Sequence, residues 1–193
     1  MILFNFREIR DIVITILLTS LVFLIAFQTQ SLERFYILIL IVTISIIGHE
    51  LWHKLFAMKN NIHAEFYADI KSQLLGVLFA IIGFIILSPG YVKIESYEKR
   101  LSIELAPLYN LILAVISLFI IQSIRLTYQD ITLVTDFTFF INNMFRINSF
   151  LAFFNFLPLN NFDGKKIRSH NKTLSNILIV SSLILVILSF ILI

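Results

Sequence analysis

The residues of this chain best spaced for chemistry are His49-Glu50-Leu51-Trp52-His53, at the C-terminal end of an almost uncharged apolar run, 35–58. On a helix His49 and His53 stand one turn apart on the same face, so both imidazoles can reach one metal ion. Glu50 is one position on and points about 100° away. It is badly placed as a third ligand and well placed to hold a water beside the metal and accept its proton. Two neutral nitrogen ligands, an adjacent base and an open position for water are what a hydrolytic zinc site needs. The chain has only four His, so a chance H-E-x-x-H is rare. As an idle polar cluster in an apolar span, these groups would be costly.

A catalytic zinc wants a third protein ligand. The candidate lies in Asn155-Phe156-Leu157-Pro158-Leu159-Asn160-Asn161-Phe162-Asp163-Gly164. Pro158 removes a backbone donor and breaks or bends a helix there. The chain can then turn, with Gly164 easing the backbone, and present Asp163 as an oxygen ligand. Asn155 precedes the break and carries an NH2 donor suited to the negative oxygen of a tetrahedral intermediate. Taken alone, Asp-Gly reads more readily as a surface turn.

The elements that must position these groups are membrane helices. The 193 residues are 59% hydrophobic, with mean hydropathy +0.92, too apolar for a soluble domain. There is no Cys, so any metal must be held by His and carboxylates. The net charge of +3 belongs to the positive-inside pattern of a membrane protein and not to nucleic-acid binding.

Apolar runs at 12–27, 35–58, 101–124, 137–157 and 173–193 each have the length of a crossing. The run 74–88 is only about 22 Å long as a helix and reads as re-entrant or interfacial. Stretches 62–70 and 91–97 alternate apolar and polar, the period of half-exposed strands. His63 falls on the polar side of the first and reads as a solvated residue. Ser45 lies four before His49 and reads as a hydroxyl bonded back to its own helix. Arg146 lies mid-span on the face opposite Asn155, which suits structural pairing or snorkelling. The expectation is one membrane domain, 1–193. It is a polytopic α-helical bundle of about five to six transmembrane helices, with a re-entrant segment and a small β-hairpin or sheet at the membrane surface.

H-E-x-x-H in one membrane helix and N-x-x-P-x-x-x-x-D-G at the end of a later one resemble the site-2 protease family of zinc intramembrane metalloproteases. Ala106-Pro107-Leu108-Tyr109-Asn110 is similar to the family's G-P-x-x-N helix start, and Pro89-Gly90-Tyr91-Val92-Lys93-Ile94 to a P-G-x-V-x-I segment. The resemblance implies one Zn2+ held by His49, His53 and Asp163, with Glu50 as general base and Asn155 assisting the oxyanion. It also implies cleavage of membrane-anchored protein substrates within the lipid bilayer. Trp52, Phe162 and Ala106 depart from the family's usual residues without removing a chemical group. The PDZ or CBS domains of many relatives are missing, as in a bare catalytic core.

For the two motifs to share one metal, the C-terminal ends of 35–58 and 137–157 must lie at the same membrane face. With 74–88 not crossing and the N-terminus inside, twelve Lys and Arg lie inside, Lys99 among them, against Arg34 and Arg125 outside. The positive-inside rule then gives five full crossings, a site near the cytoplasmic face of the cell membrane, the loop at Asp130 outside and the C-terminus outside. Two rival readings are a membrane metal-ion transporter and a catalytically inactive membrane scaffold.

Overall fold

Asn5 starts the first helix, α1 (Phe6–Ala26), through a capping box. Its side chain accepts from the Glu8 N–H at 2.9 Å, and Glu8 Oε2 accepts from the Asn5 N–H at 3.1 Å, so two orphan donors are satisfied reciprocally. The computed structural model describes residues 4–28, 31–85, 89–95, 100–127, 135–160 and 162–193. They fall into two units, divided after Ser96. Lys99 and Asp130, which bear on the expected topology, lie outside the described residues.

In the first unit α1 is followed by one long apolar helix, Leu32–Lys59. It comprises α2 (Leu32–Val42), a π-helical turn (Thr43–Ile47) and α3 (Gly48–Lys59). At the π turn the Gly48 N–H reaches back to the Thr43 carbonyl, five residues away instead of four, so one extra residue is wound into the helix. Ser45 is fully buried within it. Next come β1 (Ala64–Ala68), α4 (Ile70–Ile81) and β2 (Gly90–Ile94). The strands pair antiparallel, Ala64 opposite Ile94 and Ala68 opposite Gly90.

The two alternating stretches are therefore strands, as expected, but shorter, with a helix lying between them in the chain. Asp69 caps α4 by accepting from the Ser72 N–H at 3.1 Å. With 12 residues, α4 is about 18 Å long, short of a bilayer core of about 30 Å. It begins four residues earlier than the expected 74–88 segment, whose last three residues lie outside the described ones. Gln73, buried in this apolar helix, donates to Thr15 Oγ1 at 3.2 Å and to the Pro89 carbonyl. These bonds tie α4 to α1 and to the chain entering β2.

A single carboxylate joins three elements of this unit. Glu8 Oε1 takes the Lys54 ammonium from α3 and the Phe66 N–H from β1 at 2.9 Å. Glu8 and Lys54 are both buried, so removing either would strand a charge out of water.

The second unit opens with α5 (Leu101–Glu104) and α6 (Ala106–Thr127). A single continuous helix was expected here, and Leu105 interrupts it. Pro107 has no N–H to bond the carbonyl four residues back and is at home only in a first turn, so the helix cannot run through and restarts there. α6 packs against α7 (Thr135–Phe156). Their shared core is Ala114, Ile121, Ile141 and Phe145, with Leu185 of α9 (Lys172–Leu192). Asn110 of α6 donates to Asn148 Oδ1 of α7 at 2.8 Å, fully buried. A short helix, α8 (Asp163–His170), precedes α9. Ser175, Ser182 and Ser189 share the buried stripe of α9 with Leu178, Leu185 and Val186, the serines being small residues that let helices approach closely. Its other face exposes Ile177, Val180, Ile184, Ile187 and Ile191. Every serine of the buried stripe turned inward and a wholly apolar row turned outward are an arrangement for lipid, not water.

Among the described residues four helices are long and apolar enough to cross a membrane: Phe6–Ala26, Leu32–Lys59, Ala106–Leu126 and Lys172–Leu192. The 22-residue α7 has the length of a crossing, but Asn142, Asn143, Arg146, Asn148 and Asn155 make it more polar than these. Arg146 Nε is buried with no hydrogen-bond partner among the described residues.

Candidate metal centre

His49 and His53 are both buried on α3. Their rings are 5.1 Å apart between centroids and set edge-on at 75°. Each offers one ligand nitrogen within 4.8 Å of the other's, near enough that a small side-chain rotation brings both to the bonds of about 2.0–2.1 Å that one zinc ion makes. The helical spacing thus delivers the pair as the sequence suggests. Trp52, the bulky residue in the motif, stacks on Phe56 of the same helix at 4.5 Å. His63 is exposed, with Nε2 3.5 Å from Glu65 Oε1, a surface residue as expected.

Glu50 has a partner that the sequence did not announce. Its Oε2 accepts the Val92 N–H of β2 at 3.1 Å. The register explains why that N–H is available. Glu95 N–H bonds the His63 carbonyl at 3.0 Å, which makes 63/95, and every second pair from it, the hydrogen-bonded ones. The pair Phe66/Val92 lies between them, so both of its N–H groups point outward. On the β1 side the outward N–H groups of Phe66 and Ala68 meet Glu8 and Asp11 of α1. On the β2 side Val92 meets Glu50. Helix carboxylates therefore occupy both outer edges of this two-stranded sheet. The acids at positions 8 and 11 were a signal in the sequence, one helical turn apart at the start of an apolar helix.

The other sequence candidates lie in the second unit. α7 ends at Phe156, before Pro158, as the missing donor requires. Asp163 is the first residue of α8 and is buried. Gly164 is needed for a reason other than the expected turn, since it is absent from the positive-φ residues. A Cβ there would sit 2.0 Å from the Phe156 carbonyl oxygen and 2.5 Å from that of Leu157. The glycine lets α8 start pressed against the end of α7. Ile167, fully buried with Ala152, Phe156 and Leu178, holds it there.

Lys166 Nζ lies 3.4 Å from Asp163 Oδ1 and 3.0 Å from Glu104 Oε2 of α5. Burial works against the Lys166 ammonium. The charges of Asp163 and Glu104 and hydrogen bonds to both outweigh that and raise its pKa above the ordinary lysine value. Asn155 is half-buried, and its Nδ2 donates to the Leu151 carbonyl one turn back at 3.0 Å. A side-chain amide has a second N–H to give.

The donors suit zinc. Imidazole is a standard zinc ligand, a chain without cysteine offers no thiolate, and buried carboxylate oxygen is the remaining type zinc accepts.

The chain is 34% identical over 174 residues, 87% of its own length and 86% of the relative's, to a Methanocaldococcus jannaschii protein that carries the name "Putative zinc metalloprotease". No family model matches the chain, and no solved structure does.

Proposed function

Since the chain belongs to a family of zinc metalloproteases, we propose that it is an intramembrane endopeptidase of the site-2 type, cutting membrane-anchored helices within the bilayer. The observation that carries this reading is the buried His pair near the end of a 28-residue apolar helix, with Glu50 beside it. His49, His53 and Asp163 hold one zinc ion; each is buried and offers one ligand atom. Bound there, zinc supplies the Lewis acidity that activates water and polarises the scissile carbonyl.

Glu50 takes the proton of the attacking water and hands it to the leaving amine. Asn155 directs an N–H at the carbonyl oxygen as it gains charge. A helical substrate hides its peptide bonds and must unwind locally, and the outer edge of β2 can hold an extended segment once Glu50 gives up the Val92 N–H. α7 is the fifth crossing, at about 33 Å, and α4 does not cross. The site then faces the cytoplasm and the C-terminus the outside, the orientation that the Lys and Arg distribution favours.

The test compares purified wild type with Glu50→Gln on a membrane-anchored peptide while zinc content is measured. The variant should lose cleavage and keep its zinc. Near-normal cleavage would remove Glu50 as base. Metal flux in liposomes without any cleavage would make the protein a carrier.

A further inference from the structure

Lys166 and Glu104 have no part in the reading so far. Lys166 stands three residues after Asp163, and its side chain therefore comes back over the same face of α8. Its ammonium lies between two buried carboxylates, 3.4 Å from Asp163 Oδ1 and 3.0 Å from Glu104 Oε2. Glu104 is itself fixed in a one-turn helix that packs on α8. The backbone of Asp163 is fixed from the other side by the close approach of Gly164 to Phe156.

We propose that Lys166 is a positioning residue that restricts Asp163 to ligation through a single oxygen, with Glu104 as the anchor of Lys166. A carboxylate can bind a cation through one oxygen or two. A hydrolytic zinc site needs its fourth position for water, and a second carboxylate oxygen would compete for it. The ammonium engages Oδ1 and so keeps the ligand monodentate and the water position open. The inference rests on Asp163 being a zinc ligand. The bland alternative is a half-exposed ion pair that only ties α5 to α8, of small energetic weight.

The experiment uses the full-length protein loaded with Co2+ in place of zinc, whose visible absorption is strong when four-coordinate and weakens at higher coordination number. Lys166→Met should weaken that absorption, leave cobalt affinity unchanged or tighter, and lower turnover about 10–100-fold. Lys166→Arg should restore both. Because Lys166→Met leaves Glu104 buried without its cation, the double variant Lys166→Met/Glu104→Gln is measured beside it and should give the same spectrum. An unchanged spectrum and turnover in both would reduce Lys166 to a tie between helices and overturn the proposal. Asp163→Ala separates this from the underlying reading. If that variant keeps wild-type cobalt affinity and spectrum, Asp163 is not a ligand and both fall. If it alters them while the Lys166 variants do not, only the positioning role falls.

Discussion

Replacing Gly164 by Ala adds one methyl group next to Asp163 without touching any group that does chemistry. The new Cβ would lie 2.0 Å from the Phe156 oxygen, 2.2 Å from its carbonyl carbon and 2.5 Å from the Leu157 oxygen. The shortest carbon–oxygen contacts in proteins are about 3.3 Å, so about 1.3 Å must be opened. All three obstructing atoms are backbone, and no side chain can swing aside. The start of α8 must therefore lift from the end of α7, against the packing of Ile167 on Ala152, Phe156 and Leu178. Overpacking of this kind costs about 1–3 kcal/mol. The larger effect falls on Asp163, because a displacement of about 1 Å at a catalytic constellation costs about 10²-fold in rate. The expected result for Gly164→Ala is a modest loss of stability with a fall of about 10²-fold in kcat/KM for peptide cleavage. Gly83→Ala is the control. Gly83 has φ +88 with nothing within 4 Å of its added Cβ, so that variant should lose about 1–2 kcal/mol and no activity. Wild-type stability and turnover in Gly164→Ala would refute the account of how Asp163 is placed.

Lys54→Met should destabilise the protein by about 3–5 kcal/mol in detergent unfolding, because it strands the buried Glu8 carboxylate, and the double variant with Glu8→Gln should recover much of the loss. Equal stability of the single variant and wild type would show that the pair contributes nothing. Asn155→Ala should lower turnover about 10²–10³-fold at constant metal content, whereas unchanged turnover would leave Asn155 with its bond to Leu151 as its whole role. Single cysteines introduced at Lys59 and Lys172 should both be shielded from a membrane-impermeant thiol reagent outside intact cells, and one at Arg34 should be labelled. Labelling at Lys172 but not at Lys59 would place the two ends on opposite faces and end the shared-zinc reading.

The parts legible in the sequence are those set by local rules. The i, i+4 spacing of His49 and His53, the stop at Pro158 and the alternation around Phe66 all follow from helix and strand periods within a few residues. The extents of α4 and α5 differ from the expectation at two local signals, Asp69 as a cap and Pro107 as a restart. What stayed hidden depends on partners far along the chain. The bond from Val92 to Glu50 spans 42 residues and that from Phe66 to Glu8 spans 58. Strand register decides which N–H groups face the helices, and composition carries no trace of it. The role of Gly164 was hidden for the same reason, since its obstructing neighbours are backbone atoms of Phe156 and Leu157.

The π turn at Thr43–Ile47 makes the spacing upstream of the His pair a matter of residue count as well as residue type. One surplus residue is wound into the helix there, and deleting any one of the five would let the segment relax into regular α-helix. Four residues of α-helix sweep nearly the same arc as the five of the π turn, so α3 would keep its direction relative to α2 and the imidazoles their face. A deletion within α2, where no surplus residue is held, would instead rotate everything after it by about 100°. A one-residue gap between Val42 and Gly48 is therefore compatible with an intact His pair, and the same gap a turn earlier is not.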